Sequence, residues 1–421
     1  MFRPSLFVSG FVFLLICVLV PGWIAIHSTD APSIDESGLT PDLRKLAPYQ
    51  NGFDPLELAA RALYWPDDLS AEESMRPGEA WDAVAADHLV ARNKRALMHL
   101  ERALAARGLE LPTESSEAED PPIGPRWRGL AELLRLHAYW KLARGHETGA
   151  LEDALKIVRL GHHIENAKGA TLVPMMIAVA IKSIGLESVR AITSQVELPA
   201  SRARPSIQAL EKLRPNPEAW TRMWGGEYRS MRDLLDSELA SAQAVSTQTP
   251  VWLRPLVPDA YLYQRKRTMG EFAELYRRLQ HESTQVCADL GPATEGTPTT
   301  VLQRLKLLVS PNVVGNLLFT IATPDFQRIH LRRCLLNSQI SATQALLALK
   351  AYRDEYGSLP DSLAELSPTY LDGIPQDGYD GQALRYSPEQ RTLYTVAKDL
   401  QRNGVADSER SRQEATFSIT F

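Results

Sequence analysis

The chain has 421 residues, of which 44% are hydrophobic and 23% are charged, and its formal net charge is −5 at pH 7. This length leaves room for two or three domains, and the composition is that of an ordinary globular protein. Because the net charge is mildly negative and the sequence has no basic stripe, nucleic acid is excluded as an expected partner.

The first element in chain order is an apolar segment, residues 4–26, which contains no charged side chain. About 20 apolar residues are enough to cross the roughly 30 Å hydrocarbon core of a bilayer. A secretory signal peptide has a shorter apolar region and a small-x-small cleavage site, so we favour a retained anchor over a cleaved signal peptide. Arg3 precedes the segment and acidic residues follow it, which predicts a cytoplasmic N-terminus. We therefore expect a single-pass inner-membrane protein that contacts the lipid bilayer through residues 4–26. Residues 1–27 would form the cytoplasmic N-terminus and the transmembrane anchor, and the bulk of the chain would lie in the bacterial periplasm.

A helical body follows the anchor. Residues 28–52 are polar and contain proline, which predicts a linker, and the body is predicted over residues 53–300. Asp54 with a proline after it is typical of an N-cap and a first helical position. A longer helix is predicted over residues 79–107, because apolar residues recur on one face. An acidic, proline-rich flexible connector then spans residues 111–125.

Helical periodicity continues through the rest of the body, which is predicted to be all-α. Further helices are expected over residues 127–143, 150–164, 170–195, 205–214, 216–245 and 259–285. An apolar run in the third of these contains Pro174 and Lys182. Its short length and its charge favour a buried core helix over a second membrane crossing, so we expect a single pass.

Residues 301–421 have a different pattern, which predicts a long helix and a small α+β tail. Apolar residues spaced 7, 4, 7 and 4 apart form a seam along the helix, namely Ile329, Leu336, Ile340, Leu347 and Ala351. This seam is either a core face packed on the body, which we favour, or an interaction face for a partner. After Tyr356, period-2 alternation predicts strands over residues 383–387, 391–396 and 415–421.

The tail carries an ordered set of unlike motifs. A helix that ends in a Tyr-x-x-Glu-x-Gly unit is followed by a Leu-rich helix, a proline-aspartate-glycine turn and short strands. The residues that carry the pattern are Tyr352, Glu355, Gly357, Leu359, Pro360, Leu363, Leu366, Tyr370, Leu371, Pro375, Asp377, Gly381 and Tyr386. Over about 65 residues this resembles the C-terminal part of the major pseudopilins of bacterial type II secretion. Glycine at the end of the long helix permits a left-handed residue there.

The resemblance does not extend to the N-terminus. A pseudopilin has a prepilin-peptidase site with a glutamate five residues beyond it, whereas Gly10 is followed by five apolar residues here. We therefore expect neither processing nor polymerisation into a pilus. The layout of anchor, helical body and pseudopilin-like tail resembles a class of large bacterial membrane-anchored proteins.

Pseudopilins can hold a calcium ion in the loop near their last strands. The resemblance implies Asp399, Asn403 and Asp407 as candidate oxygen ligands here. Basic residues stand beside them, which favours a solvated turn over a metal site, and we expect no cofactor.

The cysteines leave one pairing open. Cys17 lies in the apolar segment, so Cys287 and Cys334 are the possible pair in an oxidising compartment. Nothing in their spacing demands a disulfide, and we favour free thiols.

No enzyme signature is present in the sequence, which lacks H-E-x-x-H, G-x-S-x-G, a phosphate loop and G-x-G-x-x-G. We therefore expect an interaction or scaffold protein of the envelope, linked to a secretion-type assembly through an envelope protein partner. One alternative is a hydrolase that uses His162 and Glu165 in a helical cleft. The other is a small-ligand pocket lined by Trp127, Tyr139, Trp140 and Met175.

Overall fold

The computed structural model describes residues 22–24, 28–30, 33–39, 45–65, 81–112, 123–236, 259–290, 311–322, 326–396 and 416–421. Within them the protein is mainly helical and has one small antiparallel sheet. Most of the predicted anchor, residues 4–26, lies outside the described residues.

The helices of the described residues are α1 (Phe53–Ala62), α2 (Ala83–Arg92), α3 (Lys94–Ala105), α4 (Ile123–Leu142), α5 (Glu147–Glu165), α6 (Leu172–Thr193), α7 (Ala200–Lys212), α8 (Pro217–Asp236), α9 (Asp259–Leu262), α10 (Arg265–Glu282), α11 (Val313–Ala322) and α12 (Phe326–Tyr356). Short 3-10 helices lie at Pro48–Gln50, Cys287–Asp289 and Leu363–Leu366. The strands β1 (Arg385–Ser387), β2 (Thr392–Tyr394) and β3 (Thr416–Ser418) pair in that order, antiparallel. The mainly α class, with a small sheet near the C-terminus, is therefore confirmed.

The chain divides into two compact units. The first comprises Met1–Asp42, Trp224–Glu282 and Gly291–Gln327, and the second comprises Leu43–Met223, Ser283–Leu290 and Arg328–Phe421. This division differs from the predicted boundary between the body and the tail at residue 300. The reason is that one hydrophobic cluster of the second unit contains Val189 of α6, Leu347 of α12 and Leu393 of β2.

The start of α1 differs from the prediction. Its N-cap is Gly52, and Asp54 lies in the first turn. The Asn51 side chain supplies the cap from one residue earlier, because its Oδ1 accepts the Phe53 N–H at 3.0 Å. A Cβ at Gly52 would lie 2.8 Å from the Ala103 carbonyl oxygen, so this close approach to α3 requires glycine.

The helix predicted over residues 79–107 is broken at Asn93 into α2 and α3. The buried Asn93 amide donates to the Tyr64 carbonyl at 2.8 Å, and its oxygen accepts the Tyr64 N–H at 2.8 Å. The amide also donates to the Leu89 carbonyl at 3.0 Å. The side chain thus holds the segment after α1 against the end of α2. The predicted connector at 111–125 is also shorter than expected, because α4 begins at Ile123.

The helix pair α4 and α5 and the long helix α6 form the centre of the second unit. Glycines allow α5 and α6 to pack closely. A Cβ at Gly161 would lie 2.7 Å from the Ala178 carbonyl oxygen, and a Cβ at Gly185 would lie 2.7 Å from the Val158 nitrogen. Buried Asp153 of α5 then pairs with Lys141 of α4 at 2.6 Å.

Among the described residues, α6 is the one helix long and apolar enough to cross a membrane, and half of its most apolar window is buried inside the protein. Buried α6 residues include the charged Lys182, whose ammonium pairs with Glu165 of α5. These contacts match the prediction that the run over residues 170–186 forms a core helix.

The seam of α12 is a core face over most of its length. Leu336, Ile340, Leu347 and Ala351 are each at most 1% exposed and belong to the large cluster of the second unit. Ile329 is partly exposed. The burial supports the core alternative for these four residues, and it removes them as a surface open to a partner.

The tail has the turns and strands that the sequence indicates. Gly357 adopts φ +77° directly after α12, and Phe417 and Ile419 are buried while Thr416, Ser418 and Thr420 are exposed. The Leu363–Leu366 turn starts with a capping box between Ser362 and Glu365.

The first unit has an aromatic core. Trp224 packs against Tyr276 of α10 with ring centroids 6.1 Å apart, and Phe272 packs against Phe319 of α11 at 5.0 Å. A buried hydrogen bond from the Asn312 amide to the Thr268 hydroxyl, 2.9 Å long, joins the start of α11 to α10.

Candidate functional site

Glu165, one of the two residues proposed for a hydrolase, has a buried carboxylate at the end of α5. Oε1 of Glu165 accepts the Trp220 indole N–H at 2.8 Å and the Asn216 backbone N–H at 3.0 Å. Oε2 accepts from the ammonium of Lys182, which also donates to the Leu213 carbonyl at 2.9 Å. Both side chains are at most 2% exposed.

This carboxylate is ionised. Burial by itself raises the pKa of Glu165, but Lys182, His162 and the Trp220 indole outweigh burial and hold the pKa below its ordinary value. Burial also lowers the pKa of the Lys182 ammonium against the attraction of Glu165. We take the pair as charged because three donors converge on the carboxylate. A carboxylate with this many donors is a structural tie between α5, α6 and the start of α8, and it is a poor general base.

The two histidines of the same region reach a small pocket. His162 Nδ1 lies 3.6 Å from Glu165 Oε2, and burial lowers the pKa of His163 with help from His162 and Arg159. The pocket, of about 570 Å³, is lined by Leu46, Gln50, Arg107, Gly108, Leu109, His162, His163, Asn166 and Lys168. Within this lining of described residues there is no hydroxyl, thiol or carboxylate to act as a nucleophile beside the imidazoles.

The aromatic residues proposed for a ligand pocket do not meet. Trp127 lies in the cluster of α1, α3 and α4, and its indole donates to Glu57 at 3.0 Å. Trp140 stacks on the His137 ring with centroids 5.4 Å apart. Tyr139 belongs to the cluster around α12. Each side chain serves a separate part of the core.

The second unit has an open groove of about 1030 Å³ between α4, α6, α12 and the segment that contains β3. Its apolar floor includes Met176, Val179, Leu346, Phe417 and Phe421. Its walls carry four arginines and two glutamates, namely Arg128, Glu132, Arg135, Glu187, Arg190 and Arg332. Exposure is greatest at Arg128, Glu187 and Arg332. We call this feature the arginine groove.

Arg190 of the arginine groove contacts both α12 and β3. Its guanidinium donates to the Thr343 hydroxyl of α12 at 2.9 Å and lies 5.6 Å from the centroid of the Phe417 ring. Burial lowers the pKa of Arg190 to about 10 against the nearby Glu187, so the side chain is still a cation at neutral pH. Glu132 is paired with Arg135 at 2.5 Å, and the groove therefore has an excess of positive charge.

The residues proposed for metal binding are not brought together in the described part of the chain. Asp399, Asn403 and Asp407 lie outside the described residues. Within the residues that the structure describes, no three His, Cys, Asp or Glu side chains are placed to hold a metal ion.

The cysteines, in contrast, are paired. Cys287 and Cys334 form a disulfide with their Cα atoms 6.3 Å apart, which corrects the favoured expectation of free thiols. The bond joins the Cys287–Asp289 turn to the N-terminal half of α12.

Comparison with known proteins gives no relative: no family model, curated protein or solved structure matches this chain. The site is therefore defined by its own geometry.

One local sequence pattern points to the arginine groove, although it was not among the predicted sites. Arg128, Glu132 and Arg135 lie on one face of α4 at helical spacing. Thr343 and Phe417, which complete the surroundings of Arg190, stand more than a hundred residues further along the chain. No local pattern relates residues so distant.

Proposed function

We propose that this protein is a single-pass protein of the bacterial inner membrane whose periplasmic part binds another envelope protein. Residues 4–26 would form the anchor, because their length and lack of charge suit a bilayer. The scaffold role would be exercised by the helical second unit, linked to a secretion-type assembly.

The disulfide supports the periplasmic placement independently of the apolar segment. Structural disulfides persist in oxidising compartments and are rare in the cytosol. Cys287 and Cys334 both follow the apolar segment, so an oxidising location for them agrees with the orientation predicted from Arg3.

The observation that carries the binding role is the arginine groove. A volume of about 1030 Å³ with an apolar floor and a few placed charges is typical of a site for a ligand or a peptide. The hydrolase alternative is weaker, because hydrogen-bond donors already occupy both oxygens of the Glu165 carboxylate.

The pseudopilin-like tail supports a link to a secretion-type assembly. In this tail Gly357 follows the long helix α12 with φ +77°, and Tyr370 and Asp377 are buried. The small sheet of the tail contributes Phe417 to the lining of the arginine groove.

Site-specific photo-crosslinking in living cells tests the binding role. We place a photoreactive amino acid at Thr420, which is exposed and lines the groove, and as a control at Val84, which is 78% exposed on α2. We expect one reproducible envelope protein adduct from Thr420 and none from Val84. Equal adduct patterns from both positions, or none, would refute the binding role.

Labelling of Tyr49→Cys tests the location. Tyr49 is 85% exposed and follows the predicted anchor. A membrane-impermeant maleimide should label this cysteine in intact spheroplasts. Labelling that requires disruption of the inner membrane would refute the orientation.

A further inference from the structure

The outer edge of β3 borders the arginine groove. The Ile419 N–H donates to the Arg391 carbonyl at 2.8 Å, and Phe417 pairs with Leu393 in the same antiparallel register. Backbone groups alternate in direction along a strand, so those of residues 416, 418 and 420 point away from β2. Thr416, Ser418 and Thr420 also line the groove. Among the described strands none pairs with this outer edge, and edge groups without a ladder partner are a template for another strand.

The positive charge of the groove favours a strand that carries acidic side chains. Arg190, cationic and placed over the Phe417 ring, stands directly beside β3. Arg128 and Arg332 are exposed at the walls, and the lining as a whole contains four arginines and two glutamates. Carboxylates on the incoming strand would pair with guanidinium groups in partly desolvated surroundings, where charge-assisted hydrogen bonds are strong.

The groove lining offers apolar and charged contacts to such a strand. The apolar Val179, Leu346 and Phe421 line it together with the arginines, so apolar and acidic side chains of an extended peptide can both find partners there. Main-chain hydrogen bonds to a sheet edge give affinity in such complexes, and the side-chain pockets give specificity.

We propose that the arginine groove receives an extended acidic segment of the partner protein, which adds as a fourth strand along the outer edge of β3. This inference rests on the proposed binding role and names the chemistry of its partner. The occupant alternates apolar and acidic side chains, and it needs free backbone N–H groups on one edge.

The test uses the full chain in lipid nanodiscs and a fluorescent peptide of about eight residues, the length of an ordinary strand, with alternating valine and glutamate. Binding is followed by fluorescence anisotropy at fixed ionic strength. We expect saturable binding. A peptide with lysine in place of glutamate should bind at least about tenfold more weakly, a difference of about 1.4 kcal/mol. Two further peptides are N-methylated at alternate residues, one at the odd positions and the other at the even positions. The peptide whose methyl groups face β3 should lose binding.

Two variants locate the site. Arg190→Gln should lower the affinity for the acidic peptide by about tenfold or more, whereas Arg204→Gln should leave that affinity unchanged. Arg204 is an exposed arginine of α7 outside the groove, paired with Asp372 at 2.7 Å. Ser418→Pro removes an N–H from the outer edge without removing a ladder bond to β2, and should also abolish binding.

Equal binding of the acidic and basic peptides, or no binding by either, would overturn the inference. The N-methylated peptides keep the test valid if a variant fails to fold, because they probe the unmodified protein. If Thr420 crosslinks to an envelope protein and the acidic peptide still fails to bind, the proposed function stands and this inference falls.

Discussion

Replacement of Glu165 by glutamine is the sharpest test of the buried tie in the second unit. Glu165→Gln keeps the shape of the side chain but leaves the Lys182 ammonium buried without a counter-charge. Lys182 is fully buried, and its other strong acceptor is the neutral Leu213 carbonyl. Removal of one partner from a buried ion pair costs about 3–5 kcal/mol. Because folded domains are stable by about 5–15 kcal/mol, we expect a large fall in the free energy of unfolding.

The second variant of the series removes both charges. Glu165→Gln combined with Lys182→Met leaves no uncompensated ion, so the double variant should be more stable than Glu165→Gln alone. A matched surface control is Glu218→Gln. Glu218 pairs with Arg222 at 3.9 Å and is 86% exposed, and loss of such a pair should cost less than about 1 kcal/mol.

Urea unfolding of the full chain in detergent micelles, followed by tryptophan fluorescence, gives the measurement. Trp220 reports on the site directly, because its indole donates to Glu165. A urea midpoint for Glu165→Gln equal to that of the unchanged protein would refute the stabilising role of the Glu165–Lys182 pair. So would a double variant whose loss equals the sum of the two single losses.

Three further predictions concern the same unit. Because Lys182 and the other donors outweigh burial, the pKa of folded Glu165 lies below 4.5; its stabilisation is complete above that value and disappears as the pH falls through the lower folded pKa. Acid unfolding should therefore show this loss in the unchanged protein and not in Glu165→Gln. Replacement of both Cys287 and Cys334 by serine should lower stability by about 4 kcal/mol, since the bond closes a loop with a sequence separation of 47, and reductant should have no effect on that variant. Gly378→Ala should cost about 1–3 kcal/mol, because its Cβ would lie 2.4 Å from the Cys334 carbonyl oxygen. Gly373→Ala, with open space around it, should stay within about 0.5 kcal/mol of the unchanged protein when both variants are measured by urea unfolding.

Periodicity alone was enough to predict many of the helices and strands. The alternation of Phe417 and Ile419 with threonine and serine identifies β3, and its burial pattern is the one predicted. The break at Asn93 was missed for a physical reason. Apolar residues continue in helical register across it, and the hydrogen bonds to Tyr64 that interrupt the helix come from a segment 29 residues away.

The predicted boundary at residue 300 separates α12 from the helical body, whereas α12 shares a hydrophobic cluster with α6 and is buried at every residue over 338–351. Ala342, Ala345 and Ala348 are fully buried together with the polar Ser341 and Thr343. Because buried residues that are small or polar do not extend an apolar stripe, the sequence pattern underestimates how much of such a helix is buried. The seam therefore indicated one core face of α12 when the helix has several.

The site shows the same division between local and distant information. His162 and Glu165 attract attention as a possible acid–base pair because they are close in sequence. The partners that decide their role, Lys182 and Trp220, are 17 and 55 residues away from Glu165. Sequence patterns find ionisable groups, whereas the donors around them determine whether a group is reactive or structural.

The residues that carry the pseudopilin resemblance have a structural task that bears on the groove. Buried Asp377 accepts from the Ser338 hydroxyl of α12 at 2.8 Å, from Arg385 of β1 at 2.8 Å and from the Val396 N–H at 2.9 Å. The next residue, Gly378, packs against the backbone of Cys334, which the disulfide holds from another direction. One side chain thus fixes the sheet to α12, and α12 and the β3 segment form two walls of the arginine groove. Asp377 and Gly378 therefore hold together two elements that line the arginine groove.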